Sequence, residues 1–366
     1  MRESLLDRWR NWRNRLIADP GFQRRASRFP LTRPVARRRA QALFDLSAGF
    51  IYSQITYACV TSGLLERLAA GPCDLDQLSR TAGLDASGTL RLVRAAAALK
   101  LAEACPDGRF ALGFEGAALL GAPGVTAMIT HHALLYADLA DPMALLRRGG
   151  GGGALADYWP YAEGEAPDGE TAAAYSGLMS ASQAMVAAQV LDAWPLGRHR
   201  RLMDVGGGQG TFLRAVAARA PGLALALFDL PEVAARARAA FAAEGLAVDA
   251  TGGSFFADPL PTGADVISLI RILHDHDDGP VLAILKAVRA ALPEGGTLII
   301  GEPMAQEPGA ERVGDAYFGI YLLAMGSGRP RPAREIIAMC EQAGFASARR
   351  IPTAMPMIAS LIVARA

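Results

Sequence analysis

Long apolar runs, regularly spaced cysteines and a strong net charge of either sign are all missing from this chain of 366 residues, and each absence closes off a class of protein. No stretch reaches the roughly 18 uninterrupted apolar residues that a membrane-spanning helix requires. The opening MRESLLDRWRNWRNRL has no apolar core followed by a cleavage site, so it does not read as a secretory signal. Cys59, Cys73, Cys105 and Cys340 lack metal-like spacing and read as reduced thiols of a cytoplasmic protein, with no metal expected. What is present is a soluble composition, 51% hydrophobic and 20% charged, long enough for two domains with sizeable cores.

The net charge of +1 hides an asymmetry. Residues 1–40 hold twelve arginines against Glu3, Asp7 and Asp19, a local balance of +9 that leaves the remainder acidic. Leu5, Leu6, Trp9, Trp12, Leu16 and Ile17 recur there at near-helical spacing, with Arg2, Arg8, Arg10, Arg13 and Arg15 between them. That pattern suits an interfacial helix lying on anionic lipid. A helix packed on a partner subunit and a disordered basic tail are the other readings of the same residues.

Residues 40–70 are expected to be helical and, being long and apolar, to find a partner chain. In CDLDQLSRTAGLDASGTLRLVRAAAALKLAEACPDGRFAL, Asp74 opens a helix and Gly83 breaks it, Ser87 caps a second helix to Lys100, and Pro106-Asp107-Gly108 turns a hairpin. This is winged-helix grammar, often seen in DNA-binding regulators. The recognition helix, however, carries only Arg91, Arg94 and Lys100, and the wing only Arg109, too thin for a phosphate footprint. A dimerising scaffold is expected and no nucleic acid.

Residues 115–200 read as mostly helical, broken by a flexible GGGGG at 149–153 and a Pro- and Gly-containing patch at 160–170. His131, His132, Tyr136, Tyr158, Trp159, Tyr161, Tyr175 and Met179 enrich this stretch in large side chains, as core or as pocket. From Leu202 onward strands and helices alternate, the signature of a doubly wound α/β domain. The expected organisation is a basic leader over 1–40, a helical winged-helix domain over 41–195 and an α/β domain over 196–366.

The most informative stretch is LMDVGGGQGTFLRAVAARAPGLALALFDL, from Leu202 to Leu230. A buried-strand run ends at Val205, and Gly206, Gly207, Gly208 and Gly210 let the chain turn so that a ligand can lie against bare backbone. The helix over 211–220 points its free N–H groups at that ligand. Asp229, ending the next strand, stands where a carboxylate can accept both ribose hydroxyls. Glycines at 206, 208 and 210 do not match the dinucleotide spacing G-x-G-x-x-G. The form G-x-G-x-G preceded by Asp204 resembles the first motif of S-adenosylmethionine-dependent methyltransferases, the alternative being a tight structural turn.

The second informative stretch is DVISLIRILHDHDD, Asp265 to Asp278. Its strand ends near Ile270, so Arg271, His274 and Asp275 fall at the rim beside the glycine loop, while His276, Asp277 and Asp278 read as caps of the following helix. Glu302 ends the next strand on the same rim. A carboxylate there can hold an imidazole in the tautomer that leaves its other nitrogen free to take a proton.

Taken in order, DVGGGQG, FDLP, GGSFFADPLP, LIRILHDHDD and LPEGGTLIIGEP behind a winged helix resemble the caffeate-type small-molecule O-methyltransferases, from about residue 40 onward. The resemblance implies a C-terminal Rossmann-like class I methyltransferase domain for S-adenosylmethionine and a homodimer formed by the N-terminal domain. It also implies His274 as base with Glu302 beside it, and Gly206, Gly207, Gly208, Gly210 and Asp229 at the cofactor. Gly253 stands where the family usually carries an aspartate, leaving the adenine side to Ser254 and Phe255, and Arg271 is assigned to the same site. A second family glutamate would fall near Ala333, leaving Glu302 alone to orient His274. Stretches such as DYWPYA and GDAYFGIYLLAMGSGRPR are most similar to the bacterial carotenoid O-methyltransferases acting on demethylspheroidene or hydroxyneurosporene. The expected acceptor is therefore the hydroxyl of an apolar carotenoid, with a phenolic metabolite as the enzymatic alternative and a ligand-sensing regulator as the alternative of another class. A location peripheral to the inner or photosynthetic membrane follows from the basic leader.

Overall fold

The computed structural model describes residues 4–158 and 182–366. Two compact units separate, Met1–Leu120 and Gly121–Ala366. The division falls at residue 120 and not near 195, because the helices that follow it share a core with a helix from the C-terminal half.

The first unit begins with α1 (Leu5–Ala18) and α2 (Pro20–Arg28), capped by the side chains of Ser4 and Asp19, and neither helix buries a residue. α3 (Arg33–Thr61) is 29 residues long and buries only Ala48 and Cys59. It stops at Ser62 and Gly63, whose φ of 70° no regular helix can absorb, so the expected continuous helix over 40–70 is broken before α4 (Leu64–Ala69). α5 (Leu75–Ala82) opens on a capping box between Asp74 and Gln77 and ends at Gly83. α6 (Ala86–Ala98) is capped by Asp85, whose Oδ1 accepts from Gly88 N at 2.6 Å; Ser87, the expected cap, lies one residue inside. β1 (Ala102–Ala104) and β2 (Phe110–Leu112) form the antiparallel wing, α7 (Phe114–Leu120) follows, and Leu64, Leu65, Leu78, Val93 and Phe110 build the core.

The second unit opens with α8 (Pro123–Asp138), α9 (Pro142–Arg148), α10 (Ala154–Tyr158) and α11 (182–193). Trp159, Tyr161, Tyr175, Met179 and the 160–170 patch lie outside the described residues. The glycine run 149–153 packs closely instead of serving as a flexible joint. Gly151 N donates to Leu323 O at 3.0 Å, and the Asp138 carboxylate, hard against Gly153, accepts from Ala154 N and Leu155 N.

The sheet is built from β3 (Arg201–Val205), β4 (Ala224–Asp229), β5 (Val248–Gly252), β6 (Val266–Ile270), β7 (Thr297–Glu302), β8 (Ser347–Ile351) and β9 (Ser360–Arg365), in the order β5-β4-β3-β6-β7-β9-β8. Strands β3 to β7 run parallel, and β9 is antiparallel to both β7 and β8. Alternate residues of β6 enter different cores, Ile267 and Leu269 on one face and Val266 and Ile270 on the other. Both faces are therefore covered, as a parallel sheet requires. The covering helices include α11, through Val186, Ala187 and Val190, with α12 (Thr211–Arg219), α13 (Pro231–Ala243), α14 (Asp278–Ala291) and α16 (Ala333–Gln342). A seven-residue π-helical turn, Arg312–Phe318, runs into α15 (Gly319–Met325), and α15 shares a core with α8, α9 and α10 through Leu135, Leu145, Leu155 and Leu322. The strand order reverses at β3, so the carboxyl ends of β3 and β6 flank the crevice where open α/β sheets place ligands.

Candidate active site

The glycine loop leaves β3 through left-handed backbone, with φ of 72°, 56° and 80° at Gly206, Gly208 and Gly210. A Cβ on Gly210 would sit 2.0 Å from Phe241 Cζ, so this glycine lets α12 approach α13. Asp229, ending β4, fixes the loop: its Oδ2 accepts from Gly208 N at 2.7 Å and its Oδ1 from Leu230 N at 2.7 Å. Burial raises the Asp229 pKa, and those two N–H groups oppose the shift. Asp204, fully buried beneath the loop, accepts from Ser268 Oγ at 2.6 Å, and its Oδ2 has no hydrogen-bond partner among the described residues. Burial, with the Asp229 charge adding to it, lifts Asp204 to about 7.

The far wall of the loop is aromatic. A Cβ on Gly206 would reach to 3.9 Å of Phe255, whose ring meets Phe256 edge-on at 4.6 Å and His276 at 5.7 Å. Gly253 is explained by close packing, since a Cβ there would lie 2.7 Å from Phe228 Cζ. Ser254 N donates to Asp258 Oδ2 at 2.8 Å, which closes the turn after β5. Phe255 is thus brought to the glycine loop, whereas Ser254 is engaged with its own turn.

On the other side of the crevice, His274 lies in a short 3₁₀ turn, Leu273–Asp275, only 2% exposed. Its Nε2 is 3.1 Å from Asp275 Oδ1. Its Nδ1 lies 3.5 Å from Glu302 Oε2, an ion-pair distance without hydrogen-bond alignment, while its backbone N donates to the same oxygen at 3.2 Å. Burial alone would depress the imidazole pKa, but the Asp275 and Glu302 carboxylates outweigh it and push it up to about 9. Asp275, not among the expected catalytic pair, therefore occupies the nitrogen that was expected to be free.

Arg271 takes a direction of its own. It has φ of 59° and its Nη1 donates to Ser182 Oγ at 2.6 Å on α11; burial raises the pKa of nearby Tyr317 and Tyr321, and the Arg271 charge opposes that rise in part. The structure places its guanidinium on Ser182 beside the tyrosines. Asp277 and Asp278 do not cap α14 with their side chains as expected: Asp277 Oδ1 accepts from Gly328 N at 3.1 Å, and Asp278 binds Arg329 and Arg331. Ala333 opens α16, and the nearest glutamate, Glu335 in the same first turn, is paired with Arg329.

Residues 159–346 match the family model described as the O-methyltransferase domain. The chain belongs to the O-methyltransferase family. It is 44% identical over 354 residues to demethylspheroidene O-methyltransferase of Cereibacter sphaeroides, covering 96% of this chain and 93% of that one. The enzyme of the same name from Rhodobacter capsulatus is 45% identical, covering 92% and 85%. In fold it is similar to human N-acetylserotonin methyltransferase in complex with SAM, with a TM-score of 0.75 at 23% identity over 89% of this chain and 97% of that one.

This O-methyltransferase also carries a polar aromatic cluster that sequence reasoning left between core and pocket. His131 Nε2 pairs with Tyr321 Oη at 2.9 Å and His132 Nε2 with Tyr317 Oη at 2.7 Å. Burial, assisted by His132, lowers His131 to about 4, so it is neutral at pH 7. Phe318, next in the π-helical turn, brings its ring within 5.8 Å of His274, so this cluster forms the wall facing the crevice. π-Helical turns are often found at functional sites. No local periodicity announces one, and the partners of Tyr317 and Tyr321 lie 185 and 190 residues away in sequence.

Proposed function

We propose that this O-methyltransferase moves a methyl group from S-adenosylmethionine to the hydroxyl oxygen of a carotenoid of the demethylspheroidene type, with His274 as general base. The observation that carries the chemistry is the buried His274 and Glu302 pair at the rim of a crevice whose other side is a glycine loop locked by Asp229. The acceptor class rests on the two relatives named for demethylspheroidene.

The loop residues fit the cofactor. Among the described residues, and apart from its chain neighbours, nothing lies within 4 Å of where a Cβ on Gly208 would be, so the space above the main chain is open to a ligand. Asp229 spends one lone pair of each oxygen on backbone N–H groups and keeps the others for ribose hydroxyls. Gly206, Gly207, Gly208 and Gly210 would hold the cofactor's length, with Phe255 on the adenine side. When bound, S-adenosylmethionine supplies a methyl group on a positively charged sulfonium. Beside that charge His274 sheds its proton more readily than its two carboxylates alone would allow.

His274 then accepts the acceptor's proton at Nε2 once Asp275 has given way to the hydroxyl. With S-adenosylmethionine held by the loop, the hydroxyl oxygen would take the methyl group as the sulfonium sulfur gives it up, and the protonated imidazole would be steadied by Glu302. An aliphatic alcohol is far less acidic than a phenol, so proton transfer accompanies methyl transfer. Positioning supplies most of the rate.

The exposed apolar residues Leu43, Phe44, Leu46 and Phe50 of α3 support a homodimer built on the first unit. Leu5, Leu6, Trp9 and Trp12, exposed among arginines on α1, support contact with an anionic membrane, where an apolar acceptor dissolves. The function is tested by incubating the protein with labelled S-adenosylmethionine and a panel of hydroxycarotenoids and phenols. Label in a carotenoid methyl ether is expected. Label confined to phenols would replace the acceptor, and absence of transfer to any hydroxyl would overturn the reading.

A further inference from the structure

We propose that Arg331 is a positioning residue for His274, a guanidinium that holds the turn carrying the imidazole in register with Glu302. The inference rests on the reading of His274 as base.

The Arg331 side chain is fully buried, and it points at main chain. Its Nη1 donates to Leu273 O at 2.8 Å and its Nη2 to His276 O at 2.7 Å, so one planar group grips the backbone on both sides of His274. The Nε and Nη2 atoms also donate to Asp278 Oδ1, at 3.0 and 2.7 Å, which supplies the counter-charge at the start of α14. Burying a cation is costly unless its donors are engaged, and here all three nitrogens donate, through four of the five N–H groups. The Arg331 carbonyl meanwhile accepts from Ala305 N at 3.0 Å, in the segment that leaves β7 three residues after Glu302. Arg331 is therefore the bridge between the turn that carries His274 and the strand that carries its carboxylate.

Its neighbours press on the same turn. Ser327 Oγ donates to Asp275 O at 3.0 Å, and Gly328, at φ of 77°, lies so close that a Cβ would come 2.1 Å from His274 O. With Arg331, these contacts account for the carbonyls of four consecutive residues, Leu273 to His276. Lysine cannot replace this arrangement, because a single ammonium cannot present two parallel N–H bonds to carbonyls three residues apart.

The test compares Arg331→Lys, Gly328→Ala and His274→Gln in the full-length protein, measuring methyl transfer in single turnover, S-adenosylhomocysteine affinity by calorimetry, and the pH profile. Arg331→Lys is expected to lower the single-turnover rate on the order of 10- to 100-fold, the scale of a misplacement near 1 Å. Affinity should stay within about twofold, and the pH limb assigned to His274 should move. Should Arg331→Lys fail to fold, Gly328→Ala displaces the turn from behind without touching the charge, and the same split is expected of it. In a His274→Gln background Arg331→Lys should cost nothing further, since it acts through the imidazole. A multiplicative loss in that background, an unchanged rate and pH profile, or a rate loss matched by lost affinity overturns the positioning role. Intact turnover in His274→Gln alone overturns the base reading instead, which separates the two failures.

Discussion

His274 sits between two carboxylates, and that placement sets both its chemistry and its effect on stability. The groups facing the ring are Asp275 from its own turn, Glu302 from β7 and the Phe318 ring, with Arg331 behind on the carbonyl side. Raised from 6.5 to about 9, the imidazole is protonated at pH 7 in the ligand-free protein and cannot accept a proton until it loses the one it holds. Single-turnover rates should therefore climb with pH toward 9, and Asp275→Asn, which removes one raising carboxylate, should move the climb to lower pH. A profile unmoved by Asp275→Asn would remove Asp275 from control of the base. The same shift has a thermodynamic sign. Because the folded pKa lies above the unfolded one, the stabilisation is fully present below about pH 6.5 and is lost as pH rises through about 9. The melting temperature of the ligand-free protein should fall across that window, and less so in His274→Gln. Replacing His274 by Gln should also cost roughly 10²–10⁴ in rate, the usual worth of a positioned base. Across the crevice, Asp229→Ala should weaken S-adenosylmethionine binding by about 1.5–3 kcal/mol, as loss of charge-assisted hydrogen bonds does, read by calorimetry.

At the scale of elements, the glycine loop and α12 form one unit whose fit depends on Gly210. Gly210→Ala must place a methyl group in the Phe241 ring at a φ of 80°, so a loss of about 1–3 kcal/mol is expected in urea unfolding, with weaker cofactor binding because the loop shifts with the helix. Equal stability would mean that Phe241 can move aside freely. This element was legible in the sequence because its signals are local: apolar run, glycines, helix, carboxylate, all within about thirty residues. The His274 turn and Glu302 were legible for the same reason, each following an apolar strand. β8 and β9 were not expected, since their order beside β7 is decided by tertiary pairing and Ser347–Ile351 lacks a continuous apolar run. Arg331 was invisible for a related reason. It stands between two prolines in a segment with no periodicity, and its partners lie 53 to 58 residues away. The Asp85 cap in place of Ser87 shows a smaller slip of two residues, where either side chain could have served.

On the scale of the whole molecule, the charge is divided between a basic leader and an acidic remainder, and this division gives the last prediction. α1 and α2 bury no residue, and Trp9 and Trp12 are 54% and 61% exposed on a helix rich in arginine. Large apolar side chains held open to water in this way want an apolar partner. An interfacial helix would draw on the buried aromatic and leucine surface, and each arginine near an anionic headgroup would add about 1 kcal/mol. Removing residues 1–30 should then abolish sedimentation with phosphatidylserine-containing vesicles while leaving S-adenosylhomocysteine affinity and the oligomeric state unchanged. Sedimentation of the full-length protein should also weaken in high salt, because the attraction is screened within about 10 Å at 0.1 M. Activity on a carotenoid dissolved in a bilayer should fall in the truncated protein by more than activity on the same acceptor in detergent. If truncation leaves sedimentation intact but lowers the oligomeric state, the exposed tryptophans belong against a second copy in the proposed dimer, and the apolar acceptor reaches the crevice without help from the leader.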